Sequence, residues 1–163
     1  MNLPTREEFT DLLKDARISR RLIRDVRYVP EEITHLEQRD FVAVTTKSGK
    51  EGVLLYEGMV IPFELSPRAA NASGRIEAVI CDICATWQRG TNSANLIFKK
   101  GDNRTVSHLV CADLDCSLHV RDMTVQSKLS RSQLREHITP EGRVERLNER
   151  LHKILGSIAI IEK

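Results

Sequence analysis

Ile80-Cys81-Asp82-Ile83-Cys84 and, further along, Val110-Cys111-Ala112-Asp113-Leu114-Asp115-Cys116 hold every cysteine in this chain. The spacing is C-x2-C, a long interval, then C-x4-C. Two close pairs of soft thiolates suit one tetrahedral zinc, because a tight turn aims both sulfurs of a pair at one point and the second pair completes the sphere. Four protein ligands leave no position for water or substrate, so the expected role of Cys81, Cys84, Cys111 and Cys116 is to hold a single structural Zn2+. Two readings compete: a redox C-x-x-C, and two disulfides in any of three connectivities. The distant second pair disfavours the redox reading. Met1 to Thr10 is polar and charged rather than an apolar export signal, which makes a reducing cytoplasm the expected compartment and disfavours disulfides. His108 and His119 flank the second pair, but histidines beside a complete cysteine set more often support the ligands than replace them.

The elements around the cysteines set the fold class. Ile76 to Ile80 reads as a short strand feeding the first pair. Leu96 to Lys99 and Thr105 to Val110 read as strands about a Gly101-Asp102-Asn103 turn, and Asp113 or Asp115 can cap a short helix carrying Cys116, Leu118 and Val120. Knuckle, hairpin, then helix with the second ligand pair is the order of a treble-clef zinc finger. Upstream, Thr5-Arg6-Glu7-Glu8 is a capping box opening a helix to about Asp15. Phe41 to Thr45, Val53 to Tyr56 and Met59 to Leu65 are strand-like runs joined by Ser48-Gly49 and Glu57-Gly58. They predict an antiparallel meander in which Pro62 marks an edge position or a bulge. Downstream, Ser127, Lys128, Ser130 and Ser132 read as a polar connection, and Gln133 to His137 as helix. Thr139-Pro140-Glu141 starts a helix with an apolar stripe of Val144, Leu147, Leu151 and Ile154 or Leu155. Gly156 is its expected end, and Ile158 to Ile161 a last strand. The predicted fold is α+β: an antiparallel β-sheet with packed helices and a C-terminal treble clef. Residues 1–74 form a helix-and-strand region, and residues 75–163 the zinc-finger region with its C-terminal helix.

The string Val110-Cys111-Ala112-Asp113-Leu114-Asp115-Cys116-Ser117-Leu118, with the Cys81-Asp82-Ile83-Cys84 knuckle before it, resembles the C-terminal treble-clef domain of the elongation-factor-G-binding proteins. These are the bacterial FusB-type fusidic acid resistance family, also labelled fibronectin-binding protein C-terminal domains. The match is densest between Ile80 and Arg121. The resemblance implies a translation-associated protein without enzymatic activity that binds elongation factor G and promotes its release from the ribosome. With room for only one or two helices before its strands, the chain looks more like the compact chromosomal relatives than the resistance members, which carry a separate helical bundle. The fibronectin label suggests an adhesin, which free thiols and the lack of an export signal disfavour.

An interaction surface needs aromatic anchors and cations. Trp87, the only tryptophan, lies just past Cys84 beside Arg89; Lys99, Lys100 and Arg104 cluster about the hairpin turn; Arg121 follows the second pair. These six are the candidate partner-binding residues. The alternative is a zinc-containing RNA- or ribosome-binding protein. It would use the hairpin lysines and the crowd of Arg17, Arg20, Arg21, Arg24 and Arg27, although that stretch also reads as the solvated face of an amphipathic segment. A net charge of +2 does not choose between partners, and 4% aromatic content disfavours single-strand stacking. A zinc deaminase would need an H-x-E ligand motif that is absent, and no small-molecule substrate is expected. No run reaches the ~20 apolar residues of a membrane helix.

Overall fold

The computed structural model describes residues 3–100, 104–134 and 136–159. The chain forms two units, Met1–Leu65 and Ser66–Lys163.

In the first unit the capping box forms as read: Glu8 N donates to Thr5 Oγ1 (3.2 Å) and Thr5 N to Glu8 Oε2 (2.7 Å), starting helix α1, Arg6–Asp15. Phe9 and Leu13 lie on the buried face of α1. Phe9 stacks on Tyr28 with ring centroids 4.0 Å apart, and the Tyr28 hydroxyl donates to Pro4 O. Burying side chains of this size stabilises by about 1.5–3 kcal/mol each. Arg17 takes a left-handed conformation (φ 52°) and terminates α1, so the arginine crowd is not one amphipathic run. Ser19 then caps a separate helix α2, Arg20–Asp25, which buries Leu22. Strands β1 (Val42–Thr45), β2 (Glu51–Tyr56) and β3 (Met59–Pro67) form the expected antiparallel meander. Glu57 and Gly58 both have positive φ, the requirement of a two-residue turn whose twist matches the strands. Register runs through Val53↔Pro62 without a bulge. Helices and meander share one core of Phe9, Leu13, Ile18, Leu22, Tyr28, Val42, Val44, Val53 and Leu55.

In the second unit, short strands β4 (Val79–Ile80) and β5 (Trp87–Gln88) pair antiparallel around the first cysteine pair. Strands β6 (Ser93–Lys100) and β7 (Arg104–Cys111) form a long hairpin, and its turn residues 101–103 lie outside the described residues. Helix α3 (Cys116–Val120) follows. Knuckle, hairpin and helix thus occur in treble-clef order, and the fold is α+β with antiparallel sheet.

Two readings are corrected. The serine-rich connection is helix α4, Val125–Leu134, while Glu136 and His137 are not helical. Its serines are not loop markers: Ser127 and Ser130 are buried, Ser127 N and Oγ bond Thr124, and Ser130 Oγ accepts the Trp87 amide. The last helix, α5, runs Pro140–Ala159, straight through Gly156. Its stripe of Leu147, Leu151, Ile154 and Leu155 is buried, so packing favours helix there over the glycine stop. Of the expected last strand, Ile158 belongs to α5, and Ile160 and Ile161 lie outside the described residues. Among the described residues no helix is long and apolar enough to cross a membrane.

Candidate metal centre

Each cysteine pair sits in a turn that backbone bonds hold open for its sulfurs. In the first, Ala85 N donates to Cys81 O and Cys81 N to Thr86 O, both 2.9 Å, with Ala85 in a left-handed conformation (φ 58°). In the second, Leu114 N donates to Cys111 O (3.1 Å), with Leu114 also left-handed (φ 56°). A non-glycine residue pays roughly 1–2 kcal/mol for that conformation, so both turns need something to hold them. The first turn is tied to β7 by reciprocal bonds, Asp82 N to Leu109 O (2.7 Å) and Leu109 N to Asp82 Oδ2 (2.8 Å). Helix α5 reaches it too: Arg150 Nη1 lies 3.3 Å from Asp82 O.

The four sulfurs, all buried, lie within 4.8 Å of one another. Cys81 Sγ to Cys116 Sγ is 3.7 Å and Cys84 Sγ to Cys111 Sγ 3.5 Å, too long for disulfides of about 2.05 Å. A zinc with four sulfurs at about 2.3 Å sets sulfur–sulfur edges of about 3.8 Å, which these distances approach. The charges agree with the geometry. Burial alone would raise the Cys81 thiol, but donations from the Cys111, Cys116 and Cys84 side chains outweigh it and hold Cys81 well below the ordinary thiol range. Cys111 is pushed well above that range, first by burial and then by what it donates to Cys81 and Cys84. Cys116 is pushed up by the sulfurs of Cys111, Cys81 and Cys84 and then by burial. Sulfurs this close resist ionising together; a divalent cation supplies the charge that permits it. The donor set fits one structural zinc ion.

Two residues that sequence reasoning did not single out complete the centre. Thr86 Oγ1 lies 2.8 Å from Cys84 Sγ, and Gln88 Nε2 donates to Cys111 Sγ (3.2 Å) and Thr86 Oγ1 (3.0 Å). Both are buried, and such donors orient thiolates and spread their charge. The available signal was period two: Thr86 and Gln88 alternate about Trp87, as residues on one face of a strand do. The four sulfurs form a complete set without a histidine, although Asp113 and His119 also lie within 4.8 Å of Cys111 Sγ. His119 is buried with Nδ1 2.7 Å from Thr124 Oγ1 and Nε2 3.3 Å from Asp113 Oδ1. Burial raises the Asp113 carboxyl, but the His119 ring and the Asp115 amide together outweigh it and hold it below the ordinary carboxylate range. His108 Nδ1 lies 3.7 Å from Asp82 Oδ2.

The residues considered for partner binding fall into two groups. Trp87, half-buried opposite the 44%-exposed Ile80, and the exposed Arg89 stand at the metal end of the unit. Arg121, half-buried, closes α3 by donating to Ser117 O (3.0 Å). Lys99, Lys100 and Arg104 sit at the far end of the hairpin, where Lys100 pairs with Arg104. From Arg104 to Cys111 the strand spans about 24 Å at ~3.4 Å per residue, so the fold does not gather all six.

The model of the FBP C-terminal treble-clef zinc-finger family matches residues 25–158. The chain belongs to that family. Among solved structures, this member of the treble-clef family is similar to the fusidic acid resistance protein FusC. The TM-score is 0.52 at 12% identity, over 72% of this chain and 52% of that one. The chain thus spans about half of that protein, and at this identity the likeness concerns fold alone. A comparison with curated protein sequences finds no match.

Proposed function

We propose that this protein is a zinc-stabilised adaptor of the bacterial cytoplasm that binds translation elongation factor G and promotes its release from the ribosome. It works by binding rather than by catalysis. The observation that carries this reading is family membership across residues 25–158, joined to a fold shared with a fusidic acid resistance protein. The centre supports it chemically: four thiolates close the coordination sphere of a zinc, leaving the metal a scaffold whose neighbours meet the partner. Trp87 with Ile80 offers an apolar platform beside an exposed arginine, the residue types that anchor protein interfaces.

Purified elongation factor G passed over the immobilised protein tests the proposal. Retention at micromolar protein is expected, and Trp87→Ala should weaken binding about 30-fold, as a hot spot of ~2 kcal/mol implies. No retention by the wild-type protein, shown to be folded and zinc-loaded, would contradict it.

A further inference from the structure

The fold assembles a second polar surface in the first unit, away from the cysteines in sequence. Two clefts of about 400 and 380 Å³ adjoin there and share Thr46 and Lys47. Arg27 lines the first; Arg21, Arg24 and Lys50 line the second. The cations thus come from two segments, helix α2 with the residues after it and the β1–β2 turn. The Val26↔Thr46 bridge and the Arg27 N to Thr45 O bond (3.2 Å) lock these segments together. Counter-charges are present: Glu32 pairs with Arg27, Asp25 with Arg24 and Glu51 with Arg21. Lys47 and Lys50 are exposed and have no side-chain hydrogen bond or ion pair among the described residues. Five cations and three carboxylates therefore line the clefts, with the Thr46 and Ser48 hydroxyls between them, and Glu64, opposite Glu51 on β3, adds a fourth carboxylate near Arg21.

We infer that this track binds the phosphodiester backbone of RNA, independently of base sequence. Lysines, arginine forks and hydroxyls are the groups that meet phosphate oxygens. An acidic protein fits less well, because a protein interface needs exposed apolar or aromatic anchors. Among the described residues the exposed large hydrophobics are Ile80, Met123, Val125 and Ile138, all in the other unit. The aromatic side chain lining the first cleft, Tyr28, is buried against Phe9 and does not offer a face for stacking bases. The choice of RNA among polyanions rests on the translation reading above, which places the protein beside ribosomal RNA.

The test is the affinity of the full-length, zinc-loaded protein for an unstructured oligouridylate across a salt series, with Lys47→Ala/Lys50→Ala alongside. Both lysines are exposed turn residues, so the double variant should fold. Each phosphate contact on a single strand contributes about 0.7 to the log–log salt slope and hence roughly fivefold in affinity at ~0.1 M salt. The double variant should therefore bind about 25-fold more weakly, with a slope shallower by about 1.4, and still retain elongation factor G. An unchanged affinity and slope would overturn the inference, as would absent RNA binding by the wild type. A double variant that loses elongation factor G but not RNA would also overturn it, by making the track a protein-docking surface. Failure of RNA binding with elongation factor G still retained leaves the adaptor reading standing, so the two fail separately.

Discussion

Replacing Gln88 with leucine removes one donor from the metal centre while keeping the side chain near its size. Gln88 is 1% exposed, so water cannot take its place, and its Nε2 group serves Cys111 Sγ at 3.2 Å and Thr86 Oγ1 at 3.0 Å. A hydrogen bond to a charged acceptor contributes about 1.5–3 kcal/mol. Losing it should fall on the zinc-bound thiolate, because the Thr86 hydroxyl keeps its contact with Cys84 Sγ. The expected result is a zinc affinity lowered about 10–100-fold, the range seen when groups that orient metal ligands are removed. Competition against a graded series of chelators measures it, with circular dichroism to confirm that the variant is folded when zinc is saturating. A variant whose affinity stays within about twofold of wild type would refute the claim that Gln88 holds the Cys111 thiolate.

Cys111→Ser should lose the metal and loosen the second unit, because metal binding and folding are coupled in such sites; proteolysis and metal analysis read both. Gly90→Ala should cost about 3 kcal/mol, lowering Tm by roughly 6–12 °C, because an added Cβ would lie 2.0 Å from Ile76 O and the clash is with backbone. Acid should act through α1. The Thr5 amide, then its hydroxyl, holds the Glu8 carboxyl below the ordinary carboxylate range. A lowered folded-state pKa gives stability that is present above the unfolded value of about 4.3 and is lost as pH falls through the folded one. Glu8→Gln should therefore flatten the acid side of the Tm–pH profile; a profile identical to wild type would contradict the capping box.

What could be read before folding, and what could not, divides along physical lines. The cysteine pairs, the capping box at Thr5 and Glu8, and the Glu57-Gly58 turn are local: each declares its geometry within a few residues, and each formed. Ser130 misled because a serine's meaning depends on its partner, and its partner, the Trp87 amide, is supplied by packing; Ser127 bonds Thr124 only three residues away, a local signal that the reading of this stretch as a connection passed over. Gly156 misled for the opposite reason, since burial of Leu151, Ile154 and Leu155 carries the helix past a residue that locally favours a stop. Thr86 and Gln88 look like ordinary polar residues until the chain entering β5 aims them at sulfur. Lys47 and Lys50 likewise gain significance only once the β1–β2 turn stands beside α2.

The adaptor reading joins metal, fold and partner, and native mass spectrometry of the full-length protein with elongation factor G, before and after chelation, tests all three together. The account predicts one zinc per chain and a complex with elongation factor G that disappears when the zinc is removed. A complex that survives complete loss of zinc, or a folded protein that never carries it, would contradict the account.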